Sequence, residues 1–255
     1  MVELKDAAAI DAMREAGRVV AQALAAVRAE AAVGVTLKEL DDVAATVIGE
    51  AGATSPFLNY QPSFASSPFP AVICASVNDV IVHGIPDVYR LREGDLVSID
   101  CGAVVDGWAG DSAVSFNVGL ARPEDAELIR ITQQALDAGI AAARPGGRMG
   151  DIASAVGTIG RGAGYGIPRD FGGHGVGRQM HEDPSVPNEG RARRGLKLRE
   201  GLVIAIEPMF MAGGDDAYVL ADDGWALHTA DGSRAAHIEH TIAVTADGPR
   251  ILTLP

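Results

Sequence analysis

Five side chains able to hold a metal ion lie far apart in this chain yet make chemical sense only together: Asp100, Asp111, His174, Glu207 and Glu239. Four of them are carboxylates, and that much like charge gathered in one place is strongly unfavourable without counter-ions. Two divalent cations would neutralise it. The pattern points to a chain built around a pair of metals.

The elements that must position these groups can be read outward from them. The run Leu96 to Val105 leads into Asp106-Gly107, a preferred two-residue hairpin turn, and Trp108 to Phe116 returns. With that turn, Val105 faces Trp108 and Gly102 faces Asp111. Alternation then puts Asp100, Gly102 and Asp111 on one face, and Val97, Ile99, Cys101, Val105, Trp108, Val114 and Phe116 on the other. Asp100 sits diagonal to Asp111, with backbones roughly 7–8 Å apart across the strands, and Gly102 is expected to leave open space between them. Taken singly, either aspartate is more simply an ordinary surface acid. The shared face and the acids further on favour the metal.

Gly172 to Gly177 surrounds His174 with glycines but opens no GxGxxG helix, so close approach of backbone and substrate is the better reading. His181-Glu182 begins like a zincin motif, which fails because position 185 is serine. Leu202 to Ile206 reads as an apolar strand ending at Glu207-Pro208, and a carboxylate so placed needs a partner if buried. The closing strand, His237 to Thr245, places Glu239 on a face with Thr241 and Thr245, while Ile238, Ile242 and Val244 face away.

A chain of 255 residues can bury a large core. Its net charge of −13 argues against a nucleic-acid groove, so DNA is not an expected partner. No run is apolar and long enough to span a bilayer, and the first residues lack the basic and apolar regions of a signal peptide. Cys74 and Cys101 show no metal-knuckle spacing and are expected as two reduced thiols in a cytoplasmic protein. The order helix, helix, strands occurs twice. A first helix is expected over residues 5–31 with Ile10, Met13, Val20, Leu24 and Val27 as its apolar stripe. A second follows a Thr36–Glu39 capping box, a third opens at Pro123 and a fourth near Gly150. An offset of 112 pairs Gly34 with Gly146, Val47 with Ile159 and Gly52 with Gly164. These observations suggest one α+β domain over 1–255 made of two related halves, about 1–121 and 122–255.

The segments Asn78 to Pro86, Ile99-Asp100, Gly110-Asp111, Gly173 to Gly177, His181-Glu182, Ile206-Glu207-Pro208 and Ile238 to Thr241 resemble those of methionine aminopeptidases, in the same order and over most of the chain. The resemblance implies the pita-bread fold, two pseudo-symmetric halves with a dinuclear metal centre between them. The short interval from His174 to Glu207 leaves no room for the helical insertion of type II enzymes, so a short type I enzyme is expected. By the same resemblance Asp100 and Glu239 would bridge two ions, Asp111 would hold one, and His174 and Glu207 the other. A bridging hydroxide would be the nucleophile, with Glu207 handling its proton. His181 would bond the developing oxyanion and His83 would contact the substrate backbone. The substrate's free amino terminus would bind a metal, limiting cleavage to one residue. The oxygen-rich ligand set suits manganese, iron(II) or cobalt better than a sulphur-rich zinc site, and zinc stays open.

The resemblance also points to Phe69, Cys74, Met180 and Trp225 as a pocket for methionine, against their reading as plain core residues. Where many relatives carry a tyrosine before Phe69, counting without gaps from His83 arrives at Ser66. Peptides and nascent chains beginning with methionine are the implied substrates, and a monomer is expected. The basic cluster Arg191, Arg193, Arg194, Lys197 and Arg199 reads either as a solvated loop or as a contact with ribosomal RNA. Three alternatives stay open: a proline-specific aminopeptidase or prolidase on the same fold, a non-catalytic binding module, and a metal-stabilised scaffold.

Overall fold

The computed structural model describes residues 2–62 and 65–255. Two helices open the chain, α1 (Ala7–Glu30) and α2 (Leu37–Glu50). Strands β1 (Ile73–Val77), β2 (Val80–Val82), β3 (Leu96–Val105) and β4 (Trp108–Asn117) follow, and then helices α3 (Pro123–Ala142) and α4 (Met149–Gly162). The remainder is β5 (Gly172–Gly175), β6 (Glu182–Pro187), β7 (Val203–Ile206), β8 (Met209–Met211), β9 (Tyr218–Leu220), β10 (Leu227–Thr229), β11 (Ala235–His237), β12 (His240–Thr245) and β13 (Gly248–Ile251).

Local chemistry explains the helix ends. Asp6 caps α1 by accepting from the Ala9 N–H at 2.8 Å. The expected capping box opens α2: the Thr36 N–H donates to Glu39 Oε2 and the Glu39 N–H donates back to Thr36 Oγ1. The whole apolar stripe of α1 is buried. Each large aliphatic side chain so buried contributes about 1.5–3 kcal/mol of transfer free energy, which is what fixes the helix to the sheet beneath it. Helices α2 and α4 have equal length and start 112 residues apart, at Leu37 and Met149. Each is followed by a glycine at positive φ, Gly52 and Gly164.

Two antiparallel sheets carry the site. One has the order β1-β3-β4, and the other β13-β12-β7-β5-β6. The β3-β4 register pairs Val105 with Trp108, Gly102 with Asp111 and Asp100 with Ala113, as the turn chemistry implied. Asp106 and Gly107 both take positive φ, the geometry that a two-residue turn between twisted strands requires. Helix α1 lies so close to β4 that a Cβ on Gly110 would stand 2.8 Å from the Gly17 nitrogen. That contact is possible only for glycine, and it seats the residue next to Asp111. One apolar core lies under α1 and α2, and a second under α3 and α4 against β7 and β12.

Two expectations need correction. The closing strand is interrupted: β11 ends at His237 and β12 begins at His240, so Glu239 sits in the break, and β13 rather than β12 is the last strand. The break lets the Glu239 N–H donate to the Ala113 carbonyl of β4, tying the two sheets at the site. The space over Gly102 is also filled, since a Cβ there would meet Pro56, Met180 and Phe57 within 3.1 Å.

Candidate metal centre

Five separate segments deliver the four acids and His174 to one place. Asp100 and Asp111 rise from β3 and β4, His174 from β5, Glu207 from the end of β7, and Glu239 from the break before β12. All five line a single cavity of about 450 Å³ together with His83 and His181. His174 Nε2 lies 3.5 Å from Asp111 Oδ2 and 3.6 Å from Glu207 Oε1. Its Nδ1–H donates to the Gly175 carbonyl, which fixes the ring and turns Nε2 toward the carboxylates. Thr241, buried on β12, exchanges hydrogen bonds with the backbone N–H and carbonyl of Asp111 and holds that residue from below.

The electrostatics favour a bound cation. Burial, and then the charges of Asp111 and Glu207, push the Asp100 carboxyl well above its ordinary range. Burial with Asp111, Glu207 and Asp100 does the same to Glu239. Burial also raises Asp111, although His174 offsets part of the effect. Burial alone would lower His174, but Asp111 and Glu207 outweigh it and raise the imidazole to about 9. Glu207 would be raised by burial, yet contact with His237 and the histidines around it keep it low. His83 and His181 are driven down to about 4, chiefly by desolvation, and stand neutral at pH 7.

The donor set fits divalent cations. Asp100 Oδ1, Asp111 Oδ1 and Glu239 Oε1 are buried with no hydrogen-bond partner among the described residues. Buried polar atoms are rarely left so, and an ion is the group that satisfies several acceptors at once. One atom each from Asp111, His174 and Glu239 lie mutually within 4.8 Å, and the same holds for Glu207, His237 and Glu239. Glu239 belongs to both groups.

Beside the acids, Phe57, Phe69, Cys74, Met180 and Trp225 form one buried apolar cluster. Phe69 packs edge-on against Trp225, with ring centroids 5.1 Å apart. His181 stacks on Tyr60 at 5.4 Å and leans on His174 at 4.1 Å. His83 holds a positive φ of 61°, a conformation that non-glycine residues adopt at a cost and that recurs in active sites. Ser66 does not line the cavity; Tyr60 does. The Tyr60 carbonyl accepts from the Phe69 N–H, and the Phe69 carbonyl from the Asn59 N–H, so the loop between closes on itself. Ser66 lies six residues beyond Tyr60, within that loop. Phe57, Phe171 and Met209 also line the cavity and were not singled out from sequence, because single apolar residues carry no spacing signal. In the sequence His237 reads simply as the start of a strand.

The sequence profile of metallopeptidase family M24 matches residues 11–246. The chain is 52% identical to methionine aminopeptidase 1 of Mycobacterium tuberculosis (strain CDC 1551 / Oshkosh), an alignment that covers 100% of this chain and 96% of that one. Among solved structures it is similar to methionine aminopeptidase from Thermotoga maritima, with a TM-score of 0.95 at 38% identity and full coverage of both chains. Prolidase from Pyrococcus furiosus superposes with a TM-score of 0.77 at 23% identity, over 99% of this chain and 65% of that one, a likeness of fold alone. The pita-bread architecture expected from the sequence is the one found.

Proposed function

The chain belongs to metallopeptidase family M24, and from that premise we propose that it removes the amino-terminal methionine from peptides and nascent chains. The observation that carries this reading is the convergence of Asp100, Asp111, His174, Glu207 and Glu239 in one cavity with an apolar lining. Asp111 and Glu239 would be the carboxylates shared between two cations. This revises the division implied by the resemblance, because Asp111, not Asp100, groups with His174 and Glu239. Asp100 would then serve one ion, and His174 and Glu207 the other. Manganese, iron(II), cobalt and zinc all suit carboxylate and imidazole donors.

When bound, such cations lower the pKa of coordinated water and polarise a carbonyl. The remaining work falls to side chains of the chain itself. Glu207, buried and ionised, is placed to take a proton from attacking water and return it to the departing amine. His181, neutral at pH 7, offers an N–H to the carbonyl oxygen as negative charge develops there. His83, also neutral, faces the same cavity and would hold the substrate backbone. Phe57, Tyr60, Phe69, Cys74, Met180 and Trp225 give a narrow apolar slot for a flexible thioether.

Release of free amino acid from Met-Ala-Ser, compared with Ala-Pro and Xaa-Pro-Yaa peptides, tests the reading. Turnover of Met-Ala-Ser alone is expected; preferential cleavage before proline would overturn it. No helix among the described residues is long and apolar enough to cross a membrane. We place the activity in the cytoplasm, carried by a monomer. The exposed loop bearing Arg191, Arg193, Arg194, Lys197 and Arg199 is read as a weak contact with ribosomal RNA. Charge reversal there is expected to reduce co-sedimentation with ribosomes, and unchanged co-sedimentation would remove this part of the proposal.

A further inference from the structure

We infer that His237 is a sixth metal-ligating side chain of this cavity, adding an imidazole donor beside His174 to the ion position lined by Glu207 and Glu239. The inference rests on the reading of the cavity as a metal centre and adds a ligand to it. His237 is 2% exposed. Its Nε2 lies 3.3 Å from Glu207 Oε2 and 3.9 Å from Glu239 Oε2, yet it makes no hydrogen bond of good geometry among the described residues. A buried imidazole nitrogen left in that state costs free energy, and a cation between it and the two carboxylates removes the cost.

The backbone holds the ring in place. The His237 N–H faces the hydroxyls of Ser98 and Ser115, and the Ser115 hydroxyl donates to its carbonyl at 2.8 Å. Pairing of β11 with β8 sets His237 opposite Met209, two residues beyond Glu207. Glu239 is thereby flanked by one nitrogen-bearing group on each side, His174 with Asp111 and His237 with Glu207. A second imidazole makes the donor set more nitrogen-rich than the one implied by the sequence. It should favour Zn²⁺ or Co²⁺ over Mn²⁺ at that position.

Crystals of the intact chain grown with Zn²⁺, with the ions located by anomalous scattering, test this directly. The expected result is a zinc at about 2.0–2.1 Å from His237 Nε2. Zinc bound by Asp111, His174 and Glu239, with none in bonding contact with His237, overturns the inference and leaves the metal centre standing. A cavity that takes no zinc overturns both. In solution, calorimetric titration of metal-free His237→Gln is expected to weaken a Zn²⁺ binding step by at least about tenfold and Mn²⁺ binding by less. Equal affinities in variant and parent also overturn it. The crystal experiment uses the parent chain, so it decides the matter even if the variant does not fold.

Discussion

Buried carboxylates that cannot all ionise are the dominant fact at the scale of single residues. Asp100 and Glu239 are both raised well above the ordinary range, first by burial and then by their acidic neighbours. Without cations the site therefore works against folding, because the unfolded chain lets these groups ionise freely. Asp100→Asn is expected to raise the melting temperature of the metal-free protein while abolishing methionine release; a lower melting temperature in chelator would contradict this. The pH dependence follows with a definite sign. His174 rises from 6.5 to about 9 in the fold, so its stabilising contribution is complete below 6.5 and lost as pH climbs toward 9. Asp100 and Glu239, raised by burial, also lose stability as pH rises above the ordinary carboxylate range, and His83 and His181, lowered to about 4, contribute no change above 6.5. Thermal melts of metal-free protein should show stability falling between those pH values, while calorimetric cation affinity rises as the ligands shed protons. The five donors were legible because acids and a histidine among apolar strands are chemically conspicuous. His237 was not, since it stands where an alternating strand reads equally well without function.

Among the elements, the hairpin was the most readable, because turn type and side-chain alternation together determine which residues share a face. The break at Glu239 was not, since Ile238 and Ile242 continue the apolar pattern across it and only the bond to Ala113 across the sheets reveals the interruption. The loop closing between Tyr60 and Phe69 was equally hidden, as its closure depends on backbone pairing that leaves no mark in residue types. The seat of Asp111 depends on α1 touching β4 at Gly17 and Gly110. Gly110→Ala would drive a methyl group into the helix backbone, at a cost of about 1–3 kcal/mol. Lower thermal stability and weaker cation binding are expected together. If cation affinity stays at the parent value, the contact does not position Asp111.

For the molecule as a whole, the offset of 112 that places α2 and α4 at Leu37 and Met149 fits a duplicated unit, and we read the two helix pairs as halves of one ancestral design. Such a plan accounts for a site assembled from two sheets, each half supplying acids near its end. Fold class was legible from element order; the angle at which the sheets meet was not, because packing between halves is set by many small apolar contacts. Membership of metallopeptidase family M24 makes metal dependence the property on which all the rest turns. The most direct measurement is methionine release from Met-Ala-Ser by exhaustively chelated protein, followed by titration with a defined divalent cation. Activity should vanish on chelation and return in proportion to cation bound at the cavity. Turnover that persists undiminished after complete removal of metal would contradict a mechanism built on these acids and histidines.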